Sequence, residues 1–381
     1  MSTIKVNNLQ NASASSPAFV LAADGSATAN LSSVNGGPLS GMRNRILNGD
    51  MRLDQRNAGA SVTPSSGQYL TDRWQVLLTQ SSKFTAQQNA GSVTPPSQFT
   101  NYLGFTSSSA YSVVAGDRFV TRQVIEGFNV ADLAWGTASA QSVTLSFWVR
   151  SSLTGTFGGA LQNDASNRSY PFAYTISAAN TWEQKTISIA GDTTGTWLTT
   201  NGGGIHVVLG FGVGTTFSGT AGSWSGSNFL SATGATSVVG TSGATFYITG
   251  VQLEPGTVAT PFERRSYGQE LALCQRYFQK TYNQSVVPGT DTANGALLIG
   301  DYNGAIRALG QTFLTPLRAG PTLNIWDKAG NVNRYSSYDT TWNNNLGSVS
   351  TLSAGESSFL VIPGSAAGVA TSIHYTASAE L

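Results

Sequence analysis

Charge is scarce in this sequence. Asp, Glu, Lys and Arg make up 10% of its 381 residues, against about 25% in an ordinary soluble domain. The balance is 20 basic to 19 acidic side chains, a formal net charge of +1. No bulk field therefore points to nucleic acid or to an acidic partner. The single cysteine, Cys274, excludes an internal disulfide and a cysteine-based zinc site. There are two histidines, His206 and His374; both fall in strand-like segments, where a satisfied structural ring is the expectation rather than a partnered base. No apolar run approaches the ~20 residues of a membrane span, so no insertion is expected. No stretch resembles a signal peptide, so synthesis in a cytoplasm is expected.

Where charge is missing, Ser, Thr, Asn, Gln and 43 glycines take its place. Such a chain suits β-structure with many tight turns. It also suits a protein that gains rigidity from oligomerisation rather than from disulfides.

Residues 1–43 are rich in Ser, Ala, Asn and Gly, with apolar clusters only at Ile4–Val6 and Phe19–Leu21. They cannot bury enough surface to fold alone. An extended arm that orders only against a partner or in an oligomer is expected, with a disordered tail as the alternative. From residue 44 the pattern changes to period-two alternation. Val143, Leu145, Phe147 and Val149 share one face, as do Ile205, Val207, Leu209, Phe211 and Val213. Further strands are expected at 69–78, 119–125, 170–176 and 183–189, separated by turn signals such as Gly191-Asp192 and Asn201-Gly202. Many short strands without alternating helices indicate a β-sandwich or jelly roll.

The stretch 245–278 organises the rest. Phe246 and Ile248 share a face, and strict alternation would put Val251 and Leu253 on the other. Gly250 stands where the phase slips, so a bulge there would bring all four together. Pro255 to Pro261 makes a fixed connector. Ser266 then caps a helix, with Gln269 completing a capping box. Tyr267, Leu271, Cys274 and Phe278 form its apolar stripe, widened by Leu273 and Tyr277. The expected organisation is an arm over 1–43, a jelly-roll domain over 44–265, a linking helix over 266–281 and a smaller β-domain over 282–381. In the last, strands are expected at 296–300, 305–313, 322–327, 359–362 and 372–379, with exposed turns at 327–330 and 342–347. The fold class is all-β.

Catalytic patterns are weak. Gly202-Gly203-Gly204 precedes no helix, and Gly210, Gly212 and Gly214 lie in a strand without a crossover helix, so neither is a phosphate loop. Asp164, Asp192, Asp291, Asp301 and Asp339 fall mostly in turns, where solvated carboxylates are the expectation. No cofactor motif is present, and the chain is not expected to be an enzyme.

Several long strings appear in a fixed order: NRILNGDMRLDQR, YLTDRW, QVIEGFNVADLAW, VTLSFWVRSSLTGTF, YTISAANTWEQKTISIAGDTTGTW and the stretch 245–278. Over about residues 44–280 they resemble a family of bacteriophage tail proteins, whose members are fibre, tip or receptor-binding components of virions. The start, MSTIKVNNLQNASASSPAF, resembles tail-fibre and tail-adaptor proteins. ILNGDM and FYITGVQLE are similar to the first and last strands of jelly-roll carbohydrate-binding modules. Such modules commonly hold a structural calcium near these strands. Here Arg52 and Thr249 stand where acidic residues are common, leaving Asp50 and Glu254, fewer oxygen ligands than a hard cation usually takes. No metal site is assigned.

The resemblance implies a homotrimeric tail fibre or receptor-binding subunit, assembled in the host cytoplasm into the virion. Residues 1–43 would attach it to other tail proteins. Its distal domain would touch host surface polysaccharide or lipopolysaccharide. Aromatic faces stack on sugar C–H surfaces while amides fix hydroxyls. The candidates are Trp326, Tyr335, Tyr338, Trp342, Asn343 and Asn344, with Trp197 and Trp224 (beside Trp135) on the sandwich; Asn345 extends the same loop. Tyr267, Leu271, Cys274 and Phe278 would pack around a three-fold axis. A structural adaptor without a ligand is the alternative; a polysaccharide depolymerase would need a repeating β-helix period that is not seen.

Overall fold

The computed structural model describes residues 8–9, 19–21, 23, 27–29, 42–299, 309–338, 341–363 and 370–381. Most of the arm, with Ile4–Val6, lies outside these residues, as do Gly300, residues 305–308 of the strand expected at 305–313, Asp301 and Asp339.

Three short strands, β1 (Asn8–Leu9), β2 (Phe19–Leu21) and β3 (Ala27–Ala29), form an antiparallel sheet. The main body begins with β4 (Tyr69–Thr71), β5 (Trp74–Leu78), β6 (Phe84–Gln88), β7 (Leu103–Ser107) and β8 (Arg118–Glu126). It continues with β9 (Val143–Ser151), β10 (Gly155–Gln162), β11 (Ser169–Ile176), β12 (Glu183–Ile189) and β13 (Gly203–Val213). A short parallel pair, β14 (Ser218–Gly219) and β15 (Ser231–Ala232), precedes the long strand β16 (Thr245–Pro255).

These strands make a jelly-roll sandwich of two antiparallel sheets. One runs β11-β10-β13-β8-β5-β4 and the other β12-β9-β16-β7-β6. The alternation anticipated for β9 and β13 is what fills the space between them. Val143, Leu145, Phe147 and Val149 meet Ile205, Val207, Leu209 and Phe211 in one core cluster. Phe211 anchors it, stacked on Phe105 at 4.7 Å and edge-on to Phe84 at 4.9 Å. Each such ring contributes roughly 1.5–3 kcal/mol of burial. The strand expected over 69–78 is broken into the hairpin β4–β5 by a turn at Asp72-Arg73, where Arg73 adopts φ 69°.

The phase slip in β16 is a bulge at Gly250. The register against β9 shifts between Thr249 and Gln252, and Gly250 has φ 61°. Phe246, Ile248, Val251 and Leu253 all end in the same core. One extra residue, allowed by a glycine in the left-handed region, reconciles two alternation phases.

After the sandwich come α1 (Tyr267–Gln275) and a second sheet. Its strands are β17 (Phe278–Lys280), β18 (Leu297–Ile299), β19 (Leu309–Thr312) and β20 (Thr322–Trp326). β21 (Arg334–Tyr338), β22 (Trp342–Ala354), β23 (Ser358–Pro363) and β24 (Ala370–Ser378) complete it. The order is β17-β24-β21-β22-β23-β19, with β18 and β20 also pairing β24. Strand β24 is the hub, pairing with β17, β18, β20 and β21.

Three expectations need correction. The segment 342–347 is not an exposed turn but the start of β22, paired with β21 across register shifts. Asn343 pairs with Ser337, but the register slips over Asn344 and Asn345, where Asn345 takes φ 56°, so the asparagines are accommodated as a bulge in the ladder. The helix is also shorter than the expected 266–281. Ser266 does cap it, its Oγ accepting from Gln269 N at 3.3 Å. Yet the chain leaves the helix after Gln275, because Phe278 to Lys280 pair with β24.

The stripe expected to face symmetry mates faces the sandwich instead. Cys274 is buried with Leu47, Leu53 and Tyr277, and Leu271 packs against the same cluster. Phe278 is buried beneath the Arg56 guanidinium, 3.8 Å from its ring centroid. Of the four, only Tyr267 is well exposed.

Candidate functional site

The outer face of the five-stranded sheet carries a groove of about 540 Å³. Its origin is the alternation of β9. With Phe147 and Val149 turned into the core, Ser146 and Trp148 must face outward. Trp148 pairs across the sheet with Gln184 on β12 and with Thr249 on β16; Ser146 pairs with Thr186 and Gln252. The floor is therefore a half-buried indole beside Gln184 and Thr186, both exposed. Among the described residues, neither of these two side chains has a hydrogen bond within the protein, so an amide and a hydroxyl are left for a ligand.

It is bounded by the loop with Gln98 and Phe99 and by the connector 259–262 with Phe262, which adjoin each other. The two rings meet edge to face, centroids 5.2 Å apart. The Arg264 guanidinium lies 4.9 Å from the Phe99 centroid and 5.7 Å from that of Phe262, and donates to the Gln98 carbonyl. Gly250 makes the groove possible as well as the bulge. A Cβ there would stand 2.6 Å from the Phe99 ring and 3.2 Å from Trp148. Behind Thr260, Glu254 is buried and accepts from Thr260 N at 2.8 Å, Thr260 Oγ1 at 2.5 Å and Gln252 Nε2 at 2.8 Å.

The sandwich aromatics expected to reach its edge are packed together. Trp197 is buried, as is Trp135, and their centroids are 4.7 Å apart; Trp224 lies 5.3 and 5.5 Å from the two. Trp197 Nε1 donates to Asp192 Oδ2 at 3.2 Å and Trp224 Nε1 to the Ala190 carbonyl at 2.8 Å. Asp192 also takes a two-pronged Arg168 at 2.6 and 2.8 Å, which holds its carboxyl below the usual range despite burial. Here Trp197 serves packing, not display.

In the second sheet the candidates divide. Tyr335 is buried, which removes it from any surface, and Trp326 is half-buried, edge-on to Tyr282 at 6.1 Å. Tyr338 and Trp342 come together, centroids 5.0 Å apart, at the end of the β21–β22 ladder, with Asn343 and Asn344 exposed beside them. Asn344 Oδ1 accepts from Ser336 Oγ at 2.8 Å. Asp327, at the start of the turn 327–330, is buried and accepts from Asn331 and Asn345 backbone amides.

The titratable groups are structural in their geometry. His206 is buried, with Nε2 3.1 Å from Asp164 Oδ1 and Nδ1 3.4 Å from Arg122. Burial pushes its pKa down, while the histidine contact holds Asp164 below the usual range. His374 is fully buried, stacked on Tyr282 at 3.9 Å, and bonded to Thr281 and the Thr292 carbonyl. Asp291 pairs with Lys328 at 2.6 Å. Asp50 faces Arg52 at 3.3 Å. Among the described residues, no three His, Cys, Asp or Glu side chains are grouped to hold a metal ion.

The residues missed from sequence were Trp148, Phe99 and Phe262. Trp148 left a signal: a tryptophan on the polar phase of VTLSFWVR, between Ser146 and Arg150.

No family model and no curated protein matches the chain. Among solved structures it is similar to the enzymatically active domain of tailspike protein 4 from bacteriophage CBA120, with 13% identity and a TM-score of 0.32, over 57% of this chain and 22% of that one. It is similar to the family 11 carbohydrate-binding module from Clostridium thermocellum in complex with a β-1,3-1,4-mixed-linked tetrasaccharide, with 9% identity and a TM-score of 0.26, over 52% of this chain and 98% of that one. TmCBM61, in complex with β-1,4-galactotriose, is similar at 11% identity and a TM-score of 0.26, over 48% of this chain and 88% of that one.

Proposed function

We propose that this chain is a non-catalytic, glycan-binding structural component of a bacteriophage tail, and that the groove over Trp148 is its sugar site. One observation carries the binding reading: an accessible indole on a sheet face, walled by Phe99 and Phe262 and flanked by the unspent side chains of Gln184 and Thr186. An aromatic platform with adjacent amide and hydroxyl groups is the chemistry a sugar ring needs.

The tail assignment rests on the ordered motifs over residues 44–280. Val20 and Leu21 on β2 are exposed, which suits an arm that seats on another tail protein. Exposed Tyr338 and Asn343, with the half-buried Trp342 between them, form a second place where host polysaccharide or lipopolysaccharide would be met. Homotrimeric assembly in the virion is part of the proposal; mass measurement in solution tests it, and a stable monomer of 39.7 kDa counts against it.

The test of the binding site is a glycan array with the full chain and with Trp148→Ala. Binding that disappears in the variant supports the groove. Binding unchanged by the substitution removes it.

A further inference from the structure

The groove's lining holds no ionisable side chain. Its polar groups are those of Gln184, Thr186, Ser146 and Gln98, with serine and threonine at the rim. We propose, resting on the groove reading above, that its ligand is an uncharged glycan.

The charged groups nearby lie outside the lining, and each has a partner of its own, as Arg43 has in the Pro261 carbonyl. Glu254 lies behind Thr260 and is saturated by its amide and hydroxyl. Arg264 lies over the two wall rings and donates to the Gln98 carbonyl. On β12, Glu183 and Lys185 pair with each other at 2.5 Å and belong to the rows of Val149 and Phe147, the core-facing phase. The nearest cation on the same outward phase is Arg150, two residues along β9 from Trp148. It lies 5.4 Å from the Tyr247 ring and donates Nε to the Asn180 carbonyl at 2.9 Å; it is not part of the lining.

A uronate, sulfate or phosphate laid on the floor of this groove would lose water without a counter-charge in the lining. A neutral sugar loses far less, because its hydroxyls donate and accept in equal measure. Gln184 and Thr186 can do both in return. A single cation in place of Gln184 would change that preference, since Gln184 sits on the edge strand directly beside Trp148.

The experiment uses the full chain, affinity electrophoresis and two sets of probes. One set is neutral glucans, galactans and mannans; the other is polygalacturonate, hyaluronate and dextran sulfate. The expected result is binding to a neutral polymer, weakened about tenfold or more by Trp148→Ala, and insensitive to salt between about 50 and about 500 mM. Gln184→Arg is expected to add binding to an acidic polymer. If only acidic polymers bind and Trp148→Ala abolishes that binding, the groove stands and the neutral preference is overturned. If acidic binding survives Trp148→Ala and is lost in Arg150→Ala or Arg264→Ala, both are overturned. Binding to neither set overturns both.

Discussion

Arg56 Nη2 lies 2.8 Å from Glu380 Oε1, so a side chain one residue from the end of the chain closes an ion pair with the first part of the sandwich. The other oxygen of Glu380 takes Arg73, which is 2% exposed. Tyr69 Oη donates to the Leu381 carbonyl at 2.8 Å. Arg276 adds a two-pronged contact to Glu126, which also accepts from Tyr277 Oη at 2.6 Å. Arg318 donates to the carbonyls of Asn201, Ala379 and Glu380. Charge-assisted bonds, the buried Arg73–Glu380 pair among them, thus join the second sheet to the sandwich.

Glu380→Ala therefore leaves Arg73 buried with no carboxylate. Its bond to the Val124 carbonyl and its position 3.6 Å over the Tyr277 ring remain. Removing one partner of a buried pair costs about 3–5 kcal/mol, and the lower half of that range is expected here. Urea unfolding at neutral pH measures it. A loss under about 1 kcal/mol, the worth of an exposed pair, would show that Arg73 does not depend on Glu380.

Asp72 gives this joint a pH dependence. Burial outweighs its contacts with Arg56 and Gln55 and raises its pKa from 3.8 to about 6. A carboxyl raised on folding favours the folded state only when protonated. Its contribution is full below about 4 and is lost as pH rises through about 6, up to about 3 kcal/mol. His206 and His374 act the other way. Burial lowers both, so their contribution is present above 6.5 and is lost on acidification. Between pH 7 and pH 4, Asp72→Asn is expected to lose stability more steeply than the parent. Parallel pH profiles would contradict the raised pKa.

Gly250→Ala tests the bulge and the groove together. A non-glycine residue at φ 61° costs about 1–3 kcal/mol, and the new Cβ meets the Phe99 ring at 2.6 Å. A lower melting temperature and weaker glycan binding are both expected. Unchanged binding in the folded variant would mean that Phe99 is not part of the site.

The sandwich was legible because its core follows period two, and even the defect in β16 was marked by a glycine between two apolar phases. The groove was less so. Trp148 is marked by standing on the polar phase of β9, but Phe99 and Phe262 come from loops whose meeting no local pattern encodes. Trp197 and Trp224, set among Gly, Ser and Thr, look like display residues in sequence. Only the tertiary fold turns them against Trp135. Likewise, the asparagines of 342–347 carry a turn signal that the structure spends on a bulge, with Asn345 at φ 56°, inside the pairing with β21.

The tryptophans are therefore expected to part company on substitution. Trp197→Ala opens a cavity against Trp135 and Trp224 and frees a bond to Asp192, so a loss of about 3–5 kcal/mol is expected. Trp148→Ala removes a half-buried ring at the surface and should cost far less stability while abolishing glycan binding. Chemical denaturation and glycan binding, measured on both variants, separate the two roles. Equal destabilisation would make Trp148 a packing residue.

Cys274 reports where the helix sits. The thiol is 1% exposed beneath α1, and burial pushes its pKa well above the usual value. A thiolate is needed for reaction with a disulfide reagent, so the native chain should be inert at pH 8 and yield one thiol when unfolded. Because α1 seals Leu47 and Leu53, weakening the joint should open this path: Glu380→Ala is expected to react faster than the parent while still folded. If the native thiol reacts at the rate of a free cysteine, the helix does not hold its stripe against the sandwich, and the outward-facing arrangement around a symmetry axis returns as the better account of Leu271 and Cys274.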